Sequence, residues 1–313
     1  MSEGLAGLQN QAIGLAQTLG LPYELKEVKK SKGLWQLFSS DRHDFTPPWP
    51  DILISCGRQG GLVAADIRRA SENKTFTVQI QDPFMDPGQF DVVIVPAHDK
   101  LRGENVFVTQ GSVHHVSMEK LNSAAERFRP LLASTPRPLI TVLVGGKNKH
   151  QGFSNSSAHD LARNLLAAAK MTGGGLAVTF SRRTGERNEA ILRQDLKGHP
   201  SYIWDGTGEN PYLGMLALAD VIIVTNDSVS MMSEACSTGK PVYLYELPNA
   251  GKRHKQFCES LIKSGIARPF SGTIEIWKNT PLDETRKAAN FVRERYMAKK
   301  ERAYAGLSTR IAS

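Results

Sequence analysis

The second half of the chain repeats one pattern: a short apolar run rich in β-branched residues, then a polar turn, then a helical segment. The predicted strands are Leu139–Val144, Gly175–Phe180, Ser201–Trp204, Val221–Thr225 and Pro241–Tyr245. The predicted helices are Ser157–Met171, Glu186–Leu196, Pro211–Ala219 and Val229–Thr238. Strands that alternate with helices of this length form a parallel, doubly wound sheet. The pattern therefore predicts an α/β, Rossmann-like domain.

Polar residues gather where these strands end. In an open parallel sheet the ligand crevice lies outside the carboxyl ends of the strands. Arg182 and Arg183 stand there between two hydroxyl residues, Ser181 and Thr184. Turn formation explains glycine and asparagine at such positions, but it does not explain paired arginines. A ligand that carries a diphosphate explains them better.

The segment after Val221–Thr225 carries the most specific signal. Asn226, Asp227 and Ser228 supply N-cap chemistry, and the helix that follows can offer its first N–H groups to an anion. Glu234 lies on the same side of this helix as Ser230, four residues earlier. From these residues alone, a solvent-exposed glutamate in an ordinary α/β unit is an equal alternative.

The length and net charge of the chain limit the number of domains and the kinds of partner to be expected. A chain of 313 residues with 40% hydrophobic content can bury two ordinary cores, so we expect two domains. The net charge of +8 fits anionic partners: a nucleotide, an acidic lipid surface or a nucleic acid. No basic stripe interleaved with aromatic residues is present, so nucleic acid is not an expected partner.

The cysteines and the hydropathy pattern bear on location. Cys56, Cys236 and Cys258 are scattered without metal-ligand spacing, which favours a reducing compartment and no metal site. No apolar run approaches the roughly 20 residues of a transmembrane helix, and the N-terminus shows no secretory signal pattern. We expect a cytoplasmic protein, peripheral to the inner membrane if its acceptor is acidic or lipid-linked.

The first half repeats the α/β pattern less regularly. A helix through Leu19 is expected first, and the predicted strands are Tyr23–Val28, Asp51–Ser55, Thr75–Ile80, Asp91–Val95 and Asn105–Thr109. A glycine-rich turn follows Asp51–Ser55 and opens the helix Leu62–Ser71; its residues are Gly57, Arg58, Gln59 and Gly61. This turn can hold a phosphate, or it can serve close helix–strand packing.

Adjacent histidines also occur in this half, at His114 and His115. Neighbouring residues of an extended segment point apart, whereas metal ligands must converge, so the pair does not favour a metal site.

The domain organisation follows from the turns and the last helix. The proline-flanked segment Pro130–Pro138 predicts a linker between domains at 1–132 and 137–280. After residue 270 the repeat stops, and an amphipathic helix is predicted at Glu284–Tyr304. Its apolar side needs a partner surface, so we expect segment 283–313 to join the N-terminal domain.

Taken together, two Rossmann-like domains, a Gly145-Gly146 turn that opens the second, and the run from Ser228 to Pro241 resemble the GT-B glycosyltransferase fold. Similar enzymes are the lipid-linked N-acetylglucosaminyltransferase of peptidoglycan synthesis and lipid A disaccharide synthase. The sequence is more similar still to the family that contains the plant mitochondrial fission factor named for elongated mitochondria. The matching segments are Ser2–Gly7, Asn10-Gln11, Gly57–Gln59, Gln79–Pro83, Phe90–Asp99, Ser181–Thr184, Asn210–Tyr212, Asn226–Met231 and Gly239–Val242.

The resemblance implies two domains that face each other across a cleft, with a nucleotide-diphosphate sugar, UDP-linked, as substrate rather than a separate cofactor. It implies that Glu234 binds the ribose. The expected nucleotide-sugar site comprises Gly145, Gly146, Ser181, Arg182, Arg183, Tyr212, Asn226, Asp227, Ser228, Ser230, Met231 and Glu234. The expected cleft residues of the N-terminal domain are Gly57, Arg58, Gln59 and Gly61.

Glycosyl transfer would also need a base. The expected candidates are Glu3 first and Asp82 second, with His98 third because a histidine beside Asp99 favours a hydrogen-bonded structural pair. Two other functions remain open: a non-catalytic adaptor on the same scaffold, as the plant member's recruitment role implies, and a nucleotide-sugar epimerase.

Overall fold

The computed structural model describes residues 1–2, 6–28, 45–147 and 152–311. The chain divides into two compact units. The first unit comprises residues 1–115 and 283–313, and the second comprises residues 116–282. Both contain a sheet whose described strand pairs are parallel. This confirms the predicted fold class of two α/β, Rossmann-like domains.

The first unit has a sheet with strand order β1-β2-β3-β4. Its strands are β1 (Ile52–Cys56), β2 (Phe76–Ile80), β3 (Val92–Pro96) and β4 (Val106–Thr109). Its first helices are α1 (Ala6–Leu19) and α2 (Gly57–Ala70), and a short 3-10 helix spans Pro87–Gln89. β3 is a continuous apolar run because a central parallel strand is buried on both faces. β2 is also buried throughout, but it includes the polar residues Thr77 and Gln79.

The second unit has a sheet with strand order β10-β9-β8-β5-β6-β7. Its strands are β5 (Leu139–Val144), β6 (Gly175–Phe180), β7 (Ser201–Ile203), β8 (Val221–Thr225), β9 (Val242–Tyr245) and β10 (Ala267–Pro269). Its helices are α3 (Met118–Leu132), α4 (Asn155–Thr172), α5 (Glu186–Asp195), α6 (Tyr212–Leu218), α7 (Val229–Cys236) and α8 (Lys252–Lys263).

The strand order reverses beside β5 in this second sheet. The chain runs from β5 outward through β6 and β7, and then returns to pair β8 on the other edge of β5. Such a reversal is the topological switch point at which open α/β sheets bind ligands. The segments at this point are the glycine turn after β5 and the start of α7 after β8.

The last helix, α9 (Glu284–Ile311), belongs to the first unit. Ala288, Ala289 and Val292 are buried in one cluster with Leu15 of α1 and Phe76 of β2. The apolar side of α9 therefore packs on the N-terminal sheet and helix layer.

The observed boundary between the units differs from the predicted boundary at 132–137. Helix α3, which the sequence did not predict, carries Pro130 in its last turn and packs along α6. Leu121 and Leu132 are buried among residues of the second unit. The boundary therefore falls at residue 115, before α3, because the apolar side of that helix is buried there.

Two local predictions are wrong. The segment Tyr23–Val28 is not a strand; only Glu27 forms an isolated parallel bridge, to Ser2. A strand needs a neighbour along its length to satisfy its backbone groups. The glycine-rich segment after β1 is not a turn that precedes a helix, since α2 itself begins at Gly57.

Candidate functional site

The glycine turn after β5 is held against two neighbouring loops. The Gly145 N–H donates to the Thr225 hydroxyl at 2.7 Å, and the Gly146 N–H donates to the Asp227 carboxylate at 2.9 Å. A Cβ at Gly145 would lie 2.0 Å from Asp227 Oδ1, and a Cβ at Gly146 would lie 2.0 Å from the carbonyl oxygen of Arg183. Both positions therefore require glycine because the three loops approach so closely.

Asp227 is the centre of this loop cluster. Its side chain is fully buried, and it accepts hydrogen bonds from the Gly146 N–H and from the Thr225 hydroxyl at 2.7 Å. It also pairs with the Arg183 guanidinium at 2.9 Å. A buried carboxylate needs such partners to offset the loss of water. The contacts show that Asp227 shapes the turn after β5.

Two threonines in this cluster, Thr184 and Thr225, are not among the residues of the predicted site, although Thr184 flanks the predicted arginines. The Thr184 hydroxyl donates to the carbonyl oxygen of Gly145 at 2.6 Å, and Thr225 supplies the hydroxyl described above. The available signal was weak, since a threonine at the end of a strand is common. Ser181 lies half-buried beside them, with its N–H donating to Val144 at 2.8 Å.

The two predicted arginines have different surroundings. Arg183 is 40% exposed and is paired with Asp227. Arg182 is exposed at the same turn after β6. Lys147, which follows the glycine turn, is exposed as well. Arg182 and Lys147 are therefore exposed cations at this sheet edge, and Arg183 is exposed but paired with Asp227.

Glu234 is not a surface residue. It is 6% exposed on α7, and its carboxylate accepts a hydrogen bond from the hydroxyl of Tyr212, at the start of α6. Burial raises the pKa of Glu234 to about 7, although the Tyr212 hydrogen bond acts in the opposite direction. Burial also raises the pKa of Tyr212 well above its usual range, and the Glu234 charge adds to this. A buried carboxylate with a shifted pKa is typical of functional sites.

The start of α7 has the predicted cap. The Ser228 hydroxyl accepts a hydrogen bond from the Met231 N–H at 3.4 Å, and Ser230 is half-buried in the first turn. Met231 packs against the core of the second unit. Asn226 is buried, and its side-chain oxygen accepts from the Leu247 N–H at 3.0 Å. Asn226 thus ties the end of β8 to the loop after β9.

In the first unit, the predicted cleft residues lie in the first two turns of α2. Gly57 has a positive φ of 82°, and a Cβ at Gly61 would lie 3.1 Å from the Gln79 side chain. These contacts support the packing alternative for the glycines. Arg58 is exposed and Gln59 is half-buried.

The predicted bases are placed as follows. Glu3 lies outside the described residues. Asp82 is half-buried after β2 and accepts a hydrogen bond from the Phe84 N–H at 2.8 Å. His98 is half-buried after β3, beside the buried Asp99. Asp82 and His98 therefore follow the carboxyl ends of two adjacent parallel strands.

In the described ranges, no group of three or more histidine, cysteine, aspartate or glutamate residues could hold a metal ion. Among the helices of the described chain, none is long and apolar enough to cross a membrane.

Comparison with known proteins shows the family of this chain. The sequence model described as mitochondrial fission ELM1 matches residues 6–296. The chain belongs to this family. It is 33% identical to the mitochondrial fission protein ELM1 of Arabidopsis thaliana, with 82% of this chain and 66% of that protein covered. It is 29% identical to an uncharacterized protein of Rickettsia prowazekii, with 78% of this chain and 79% of that protein covered.

The chain spans about two thirds of the length of the Arabidopsis relative. Membership of the mitochondrial fission ELM1 family confirms the resemblance predicted from the sequence motifs. Among solved structures, the UDP-GlcNAc 2-epimerase of Methanocaldococcus jannaschii is similar with a TM-score of 0.53. The similarity covers 89% of this chain and 87% of that enzyme at 12% sequence identity, so it shows a shared fold.

Proposed function

We propose that this protein binds a UDP-sugar in its second unit and transfers the sugar to an acceptor. The observation that carries the proposal is the buried carboxylate of Glu234 on α7, the helix that follows β8. This carboxylate accepts a hydrogen bond from the hydroxyl of Tyr212 on α6. Helix α7 begins at the switch point of the sheet, beside the glycine turn after β5. A nucleoside diphosphate needs a carboxylate for the ribose hydroxyls and N–H groups or cations for the phosphates.

The second unit offers one group for the ribose of the donor and others for its diphosphate. Glu234 accepts hydrogen bonds from the ribose, with Tyr212 orienting the carboxylate. The first N–H groups of α7, after Ser228, face the diphosphate, where the helix dipole favours negative charge. Arg182 is the arginine proposed for the diphosphate because Arg183 is already paired with Asp227.

The acceptor side of the proposal draws on the first unit. A base takes the proton of an acceptor hydroxyl as its oxygen bonds to the sugar and the bond to the diphosphate breaks. Glu3 is proposed first for this role and Asp82 second, with His98 third. The net charge of +8 supports an acidic or lipid-linked acceptor at a membrane surface.

Two other functions have support of their own. The family match and the fission protein of Arabidopsis favour an adaptor that uses the scaffold for recruitment. The fold shared with a UDP-GlcNAc 2-epimerase favours epimerisation of a nucleotide-sugar, although fold alone does not carry an activity.

Titration calorimetry with UDP and UDP-sugars tests the binding step. Glu234→Ala should weaken binding by about tenfold to a hundredfold, since a hydrogen bond to a charged group contributes about 1.5–3 kcal/mol. Arg182→Ala should weaken UDP binding but leave uridine binding nearly unchanged. Glu259→Ala, at an exposed position of α8, is the matched control. Unchanged affinity in Glu234→Ala, or no binding of any nucleotide, would contradict the donor site.

Incubation of the wild-type protein with bound UDP-sugars separates the three functions. Release of UDP that depends on an added acceptor supports transfer. Conversion of the sugar without an acceptor supports epimerisation. Tight binding with neither reaction leaves the adaptor as the function.

A further inference from the structure

The loop after β2 leaves one large aromatic side chain in solvent. Phe84 is 65% exposed, although Pro83 before it is buried and Met85 after it packs against a core cluster of the first unit. Burial stabilises a phenylalanine side chain more than exposure does. The packing of this loop therefore does not explain why the chain turns Phe84 outward between two packed neighbours.

The backbone of the same loop is strained. Phe84 has a positive φ of 55°, and Gln81 has a positive φ of 71°. This left-handed region is uncommon for residues other than glycine, and a bulky side chain there is an outlier. Two hydrogen bonds hold the loop in place: the Phe84 N–H donates to Asp82 Oδ1 at 2.8 Å, and the Gln81 N–H donates to the Ile94 carbonyl at 2.8 Å. Strain that the surroundings enforce in this way is found mainly at functional sites.

Two carboxylates flank the exposed ring in the sequence. Asp82 lies two residues before Phe84 and Asp86 two residues after it. One oxygen of Asp82 is bonded to the Phe84 N–H, and Asp86 Oδ1 accepts from the Gly88 N–H at 2.9 Å. Asp82 is half-buried and Asp86 is exposed. Because a carboxylate offers about four acceptor positions, each can still accept a hydrogen bond from a ligand hydroxyl.

We propose that Phe84 binds a saccharide acceptor, with the apolar face of the sugar ring stacked on the phenyl ring and a sugar hydroxyl donating to Asp82. The face of an aromatic ring carries partial negative charge, so it attracts the C–H groups of a sugar ring. The inference rests on the proposed function, in which Asp82 is a candidate base for the acceptor hydroxyl, and it names the class of acceptor. An anionic lipid surface fits Phe84 less well because Asp82 and Asp86 would repel it.

Saturation-transfer difference NMR on the full chain tests the proposal. The probes are the methyl β-glycosides of glucose, galactose and N-acetylglucosamine, and erythritol is the control because it has hydroxyl groups but no ring face. Saturation of the aromatic protons of the protein should reach the ring protons of at least one glycoside and not those of erythritol.

Variants at position 84 separate stacking from simple apolar contact. Phe84→Ala and Phe84→Leu should both weaken glycoside binding by about threefold to tenfold, since an aromatic contact is lost in each. Phe84→Trp should retain the binding. Ile276→Ala, which removes an apolar side chain that is also 65% exposed, is the matched control and should bind like wild type.

Phe84→Asn shows whether a loss of binding follows from a loss of folding. Asparagine tolerates the left-handed region better than phenylalanine does, so the urea midpoint of this variant should equal or exceed that of wild type while glycoside binding falls. A lower midpoint would mean that Phe84 supports the fold, and it would overturn the proposal.

Three further outcomes decide the matter. Equal glycoside binding by wild type and Phe84→Ala, or no binding of any glycoside, would overturn the proposal. Unchanged glycoside binding with loss of binding to phosphatidylglycerol vesicles in Phe84→Ala would overturn it in favour of a membrane contact. Glycoside binding that depends on Phe84, in a protein that binds no UDP-sugar, would support the saccharide site and contradict only the proposed transfer.

Discussion

At the scale of single residues, Glu234 and Asp227 are two buried carboxylates with different partners. Asp227 accepts two hydrogen bonds and pairs with an arginine, so its charge is compensated. Glu234 has a hydroxyl partner, and burial raises its pKa to about 7. The first arrangement fixes a loop, whereas the second leaves a carboxylate that a ligand with hydroxyl groups could stabilise.

The pKa of Glu234 predicts a pH-dependent stability. Its value of about 7 in the folded protein lies above the ordinary 4.5, so the folded state retains the proton more strongly. The resulting contribution to stability is present below pH 4.5 and is lost as the pH rises through about 7. Glu234→Gln should therefore be more stable than wild type by about 3 kcal/mol at pH 8. Urea unfolding at pH 5 and pH 8 measures this difference.

The matched control for this series is Glu259→Gln, at an exposed position. Its stability should follow wild type at both pH values. A Glu234→Gln variant whose advantage over wild type is the same at pH 5 and pH 8 would show that the carboxyl does not titrate as described.

The glycine turn gives a second prediction at this scale. Gly146→Ala should destabilise the protein by about 2–3 kcal/mol, because the new Cβ would overlap the Arg183 backbone and the overpacking must be relieved. Gly152→Ala is the control, since a Cβ there meets nothing within 4 Å. Denaturant midpoints of the two variants provide the comparison. Similar midpoints would mean that the three loops do not approach as closely as described.

At the scale of elements, α1 is positioned by one glycine. A Cβ at Gly14 would lie 2.2 Å from the backbone oxygen of His114, so the helix rests directly on the loop after β4. That loop is also held by α9, because the His114 N–H donates to the Thr285 hydroxyl at 3.0 Å. The backbone around His114 thus joins α1 and α9 to the sheet of the first unit.

Alanine substitutions in α1 test this arrangement. Gly14→Ala should destabilise the first unit by about 2 kcal/mol or more, through the clash with the backbone of His114. Gly7→Ala, in the same helix with nothing within 4 Å of its Cβ, should be neutral or stabilise by about 0.5 kcal/mol. Thermal unfolding of both variants measures the difference, and a stabilising Gly14→Ala would be incompatible with the contact.

At the scale of the whole molecule, each unit has its own core. The clusters around β5, β8 and α3 contain residues of the second unit, and the clusters around β2 and β3 contain residues of the first unit with α9. A domain with its own core can fold alone. The proposed donor residues all lie within 116–282.

A fragment of residues 116–282 should therefore unfold cooperatively and retain the UDP affinity of the full chain within about threefold, since the two share all proposed contacts. A second fragment, 137–282, lacks α3 and serves as the control. It should be unstable because α6 would lose its partner. Circular dichroism and calorimetry check the two properties. A folded 116–282 fragment without UDP affinity would show that the donor site needs the first unit.

The sequence alone determined the elements whose signals are local. Three strands have the predicted bounds because each is an apolar run ended by turn residues. They are Leu139–Val144, Gly175–Phe180 and Val221–Thr225. The fold class followed from their alternation with helices. The motifs also placed the chain in its family, and they made Glu234 and Tyr212 candidate site residues, which stays a prediction.

Only the tertiary structure decided which of these residues meet. Tyr212 and Glu234 are separated by 22 residues, and Gly146 and Asp227 by 81, so no local pattern could show their hydrogen bonds. The burial that raises the pKa of Glu234 and the close contact that requires glycine at position 146 both arise from long-range packing. The same holds for segment 23–28: its residues favour a strand, but a strand exists only where another strand pairs with it.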